Sequence, residues 1–157
     1  MTGDRLRSAL TGVVVLYLVT AGIGTWLAVD EGLVGRPFGW DLDLATLPSF
    51  VFGLGTALSA PLLFLVALVA AVVILHREGR DMRRASAGGI ALLGSGFLIG
   101  MLAEPITWKL LRSGPVLSPT AAIVVANIVL PMILVILAVM DLRQRQDNAV
   151  VRQPTRP

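Results

Sequence analysis

Residues 120–140 read TAAIVVANIVLPMILVILAVM, twenty-one positions without one charged side chain. At 1.5 Å per helical residue such a run spans about 30 Å, the thickness of a bilayer's hydrocarbon core. It has no polar face on which to rest in water. Working outward, three more runs of the same character appear at about 9–29, 49–75 and 86–111. The whole chain has 157 residues, 55% hydrophobic and 15% charged, and a mean hydropathy of +0.82. Soluble domains carry about 25% charge, so a water-soluble globule is excluded. The pattern predicts an all-α integral membrane protein, a bundle of four transmembrane helices. One four-span domain covers residues 1–145, with an outer segment at 30–48 and a polar, fraying tail at 146–157.

The first run follows Arg5 and Arg7 as a signal peptide would, but its apolar stretch is longer than the usual 7–15 residues. It reads as a retained helix. Orientation follows from the basic residues. Ten of the thirteen flank the N-terminus, the turn 76–85 and the tail, among them Arg77, Arg83, Arg84 and Arg143. Only Arg36, Lys109 and Arg112 fall on the other side. Both termini are therefore expected in the cytoplasm. The formal net charge of +3 is mostly this asymmetry, and no aromatic platform accompanies it, which argues against nucleic acid as a partner. The lipid bilayer is the expected partner, with a second copy or another membrane protein beside it. Arginine outnumbering lysine twelve to one, with abundant Ala, Gly, Val and Leu, suggests a GC-rich genome and a bacterial inner (plasma) membrane.

The chain has no cysteine. That excludes disulfides, Cys-ligated metals, thiol chemistry and the CxxC type of four-helix quinone reductase. The one histidine, His76, offers no second axial ligand for a b-type haem and reads as a cation at a helix C-terminus. No nucleophile–base set, phosphate loop or metal-ligand spacing appears, so no cofactor is expected. In the outer segment, Asp41 and Asp43 form too small a carboxylate pair to specify a metal–nucleotide site. Phe38, Trp40, Leu42 and Leu44 suit a surface-lying stretch.

The halves of the chain look alike. The second run opens after Pro48 and carries Pro61 thirteen residues on; the fourth opens after Pro119 and carries Pro131 twelve residues on. A parallel two-plus-two repeat accounts for this, as does chance likeness among Ala/Val/Leu-rich helices. Pro61 and Pro131 each remove a helical hydrogen bond and free the carbonyl four residues earlier, on Ala57 and Asn127. Thr56, Ser59 and the Asn127 amide are the nearby groups able to respond. Paired helix breaks point to a midplane cavity in transporters, but kinks repaired by packing are the plainer account.

Glu104 is the sole acid within an apolar run and by default a site residue. Seventeen steps from Ala87 place it about 25 Å along its helix, close to the outer interface. Pro105 disfavours the helical conformation there, so a kink or restart is expected. A Glu104–Asn127 contact is geometrically reasonable. The third run also contains Gly96-x-x-x-Gly100, a spacing that permits close helix approach. These residues support first a small non-enzymatic membrane protein acting through helix association with itself or a partner. The second reading is a small-molecule or ion transporter or binding protein with its site among Glu104, Asn127, Thr56, Ser59 and the breaks at Pro61 and Pro131. A lipid-modifying enzyme using Glu104 and the outer aspartates comes third.

Overall fold

The computed structural model describes residues 3–33, 36, 48, 50–51, 55–77, 79–113 and 118–150. Most of the outer segment, including Phe38, Trp40, Asp41 and Asp43, and the tail beyond Val150 lie outside the described residues. Among the described residues five helices run over continuous ranges: α1 Gly3–Asp30, α2 Leu62–Leu75, α3 Arg80–Ala103, α4 Pro105–Ser113 and α5 Pro119–Val150. Among the described residues there is no strand; Thr56 and Ser59 form only an isolated bridge. The protein is all-α, and three helices are long and apolar enough to cross a membrane: Gly3–Asp30, Asp81–Ala103 and Pro119–Gln144.

α5 is the spine of the bundle, packing against both α1 and α3, while α2 packs chiefly on α3. α1 buries Leu6, Leu10, Val14, Tyr17, Ala21, Gly24 and Ala28. Their spacing of three and four residues traces one stripe of the helix. The opposite side, with Val15, Leu16, Val19 and Ile23 exposed, is just as apolar. Helices apolar on every face belong in lipid. There the helices gain little from hiding apolar surface from one another, and close packing must hold them together. α3 meets α5 at Gly94, where a Cβ would lie 3.1 Å from Val135 Cγ2 and 3.3 Å from the Pro131 carbonyl oxygen.

The second apolar run is not one helix. Pro48, Phe50 and Val51 are helical, but from Gly55 to Pro61 the backbone turns, and α2 begins only at Leu62. Gly55 has φ +90°, a conformation open to glycine and strained for other residues. Pro61 precedes the first turn of α2, where a missing N–H is tolerated. Pro131, by contrast, stays inside a continuous α5. The two prolines that look equivalent in sequence therefore do different things: one opens a helix and the other is absorbed by one.

The third run also divides. Glu104 adopts an extended conformation (φ −80°, ψ 121°), as the following proline requires, and α4 restarts at Pro105. The Trp108 indole N–H donates to the Leu102 carbonyl at 2.8 Å, covering an acceptor left open by the break. At the other end of the bundle, His76 terminates α2 through its backbone N–H. Its ring Nε2 lies 2.8 Å from Thr11 Oγ1, so the histidine ties α2 to α1 as well. Ser86 Oγ donates to the Ala71 carbonyl, stitching α3 to α2 nearby.

Candidate functional site

The turn at Gly55–Pro61 must satisfy its own backbone, because Thr56, Ala57, Leu58 and Ser59 are buried away from water. Thr56 N–H donates to the Ser59 carbonyl at 3.0 Å, Ser59 N–H returns to the Thr56 carbonyl at 3.3 Å, and Ala57 N–H reaches the Leu33 carbonyl at 3.3 Å. Leu58 N–H uses Thr56 Oγ1 at 3.3 Å. The Leu58 carbonyl, buried in the bundle, accepts from Asn127 Nδ2 at 2.7 Å. Gly24 of α1 sits directly against the turn: a Cβ there would come within 2.5 Å of the Leu58 oxygen.

A cavity of about 540 Å³ lies between this turn, α2 and α3. The turn contributes Thr56, Ser59 and Pro61, and α2 contributes Phe64. Along α3 the wall is formed by Leu92, Gly96, Phe97, Gly100 and Met101, with Glu104 at its end. Behind them Tyr17 of α1 stacks on Phe97, ring centroids 5.1 Å apart with planes inclined by 22°. The rim is exposed: Leu92 at 75% and Phe64 at 48%, with Gly96 and Gly100 beside them. The cavity therefore opens sideways, between α2 and α3, away from α5.

Glu104 is 5% exposed. Its Oε1 accepts the backbone N–H of Arg36 at 2.6 Å. The hydroxyls of Thr56 and Ser59, both buried, are engaged with the turn, Ser59 Oγ donating to the Ala60 carbonyl at 3.3 Å. The Tyr17 hydroxyl has no hydrogen-bond partner among the described residues.

Six of the residues singled out from sequence thus meet at one place: Thr56, Ser59, Pro61, Gly96, Gly100 and Glu104. Asn127, 1% exposed, stands behind the turn rather than in the cavity. Its bond to a carbonyl fixes Nδ2 as the inward donor, and its Oδ1, like Thr107 Oγ1, is buried with no partner among the described residues. Glu104 and Asn127 are held by different groups, and no hydrogen bond joins them among the described residues. Gly96 and Gly100 touch nothing within 4 Å of a notional Cβ; among the described glycines of α3 it is Gly94 that makes the close helix approach, beside Pro131.

Tyr17 and Phe97 are the residues that sequence reading passes over. Tyr17 is the chain's one tyrosine, a lone hydroxyl-bearing ring in an apolar run, and that is the signal which marks it. Among the described residues no three His, Asp or Glu side chains gather as metal ligands. Chemically, the site presents apolar and aromatic walls, a flat glycine strip and one carboxyl group at the far end. Comparison of the chain with protein-family models, with curated proteins and with solved structures finds no match.

Proposed function

We propose that this is a membrane protein that binds a small lipophilic molecule, taken sideways from the bilayer into the cavity between α2 and α3. The observation that carries the reading is the cavity itself: about 540 Å³, within the 300–1,000 Å³ common for ligand sites, apolar along its length and closed at one end by a buried acid. An occupant of this shape has an apolar body and a single polar end. This is the binding or transport alternative drawn from the sequence, now preferred to simple helix association.

The arrangement in the membrane follows from the same elements. α1, α3 and α5 cross fully. The fourteen residues of α2 rise about 21 Å, and the turn at 55–61 completes a fourth crossing. With basic residues concentrated at the termini and at the turn 76–85, both ends of the chain lie in the cytoplasm, in a bacterial inner membrane.

Helix association remains a second reading for one reason: Gly96 and Gly100 expose bare backbone along the rim, where a neighbouring helix can approach. Native mass spectrometry of the protein extracted from its own membrane in mild detergent separates the two. The binding reading expects a reproducible small adduct, lost in Gly100→Leu, whose side chain fills the cavity. A bare homo-oligomer, or a complex with a second polypeptide, that dissociates in the same variant and never carries an adduct refutes binding in favour of association.

A further inference from the structure

We infer that the occupant of the cavity is a cationic amphiphile, an apolar body ending in an amine that pairs with Glu104; this rests on the binding reading above and specifies its ligand. Two features of the cavity favour a positively charged occupant. Among the described residues its lining contains one acidic side chain and no basic one, and that acid is 5% exposed, so a charge brought to it is weakly screened. The stacked rings of Tyr17 and Phe97 line the same space, and aromatic faces attract cations through their quadrupole.

The outer side of Glu104 is already served. Oε1 takes the Arg36 backbone N–H, and Arg36 itself is exposed, outside the cavity lining. An amine arriving from the bilayer reaches the carboxylate from the cavity side, its chain lying along the glycine strip of α3. An anionic head meets repulsion at the same point. A neutral hydroxyl can hydrogen-bond there but forgoes the charge. Charge-assisted hydrogen bonds exceed neutral ones by enough to give about a tenfold difference in affinity.

The test uses decylamine, decanol and decanoate, which share one chain and differ in head charge. Each is equilibrated by dialysis against the full-length protein in phosphatidylcholine nanodiscs, with uptake by empty nanodiscs subtracted. The expected result is an order of affinity amine, alcohol, acid, with decylamine about tenfold tighter than decanol. Glu104→Gln reduces that ratio to about two or less while leaving decanol binding in place. Should Glu104→Gln fail to assemble, the wild-type series still decides, and Glu104→Asp is expected to keep a preference for the amine. Decanol binding as tightly as decylamine, or an amine preference that survives Glu104→Gln, overturns the inference and leaves the cavity reading standing. If none of the three probes binds, the cavity reading falls with it.

Discussion

Gly22 and Gly24 lie two residues apart on α1 and differ in what surrounds them. At Gly22 a Cβ meets nothing within 4 Å, whereas at Gly24 it comes within 2.5 Å of the Leu58 carbonyl oxygen and 3.2 Å of Ile123 Cγ2. Replacing either by alanine relieves the helix of glycine's conformational freedom, a gain of about 0.5–1 kcal/mol. At position 24 that gain is opposed. The added carbon meets backbone, which cannot rotate away, so α1 and the turn must move apart. Overpacking of this kind costs about 1–3 kcal/mol. The helix term is common to both variants and cancels between them, so Gly24→Ala is expected to be less stable than Gly22→Ala by about 1–3 kcal/mol. Reversible unfolding in mixed micelles, as the fraction of denaturing detergent rises, measures the difference. The same displacement shifts Leu58 and its neighbours Thr56 and Ser59, so Gly24→Ala also weakens binding in the cavity while Gly22→Ala does not. Equal stabilities, within about 0.5 kcal/mol, refute the placement of the turn against α1.

Asn127→Ala removes the donor to the Leu58 carbonyl and is expected to cost about 1–3 kcal/mol by stranding a buried acceptor. That exceeds the mean of about 0.6 kcal/mol measured for membrane side-chain hydrogen bonds, because here an irregular backbone depends on the bond; an unfolding loss below that mean would count against this role. The absence of cysteine makes topology directly measurable: in whole cells, Glu31→Cys is expected to react with a membrane-impermeant maleimide and Arg77→Cys only after lysis. Both residues are exposed, so the reverse pattern would invert the orientation, and labelling of both in intact cells would overturn the four-span arrangement.

Much of the site is legible in the chain because its chemistry is local. Pro105 constrains Glu104 wherever the helix lies, and the extended backbone found there follows from that constraint. The lone acid in an apolar run and the hydroxyls near Pro61 also announce themselves. Equivalent-looking residues are a different matter. Pro61 and Pro131 share a sequence context but not a role, since Gly55 turns the backbone ahead of the first and Gly94 of α3 makes room beside the second. Gly96 and Gly100 have the better spacing for helix packing, yet Gly94 packs and they face an opening. Spacing states that a close approach is permitted; it does not state where a partner stands.

Sequence alone determined that the chain is built of apolar helices, that the third run must break at Glu104–Pro105 and which way the charges divide. These depend on length, proline geometry and the cost of charge in hydrocarbon, all properties of the chain by itself. The tertiary structure decided which faces are buried. In a soluble helix, polarity would have marked the inner stripe, but Val15 and Val19 on the outside of α1 are as apolar as Leu10 and Val14 within. With lipid as solvent there is no polar face to read. The convergence of Tyr17, the turn at Thr56–Ser59, the open side of α3 and Glu104 on one cavity depends on how close the helices can approach, and that is settled only when they pack.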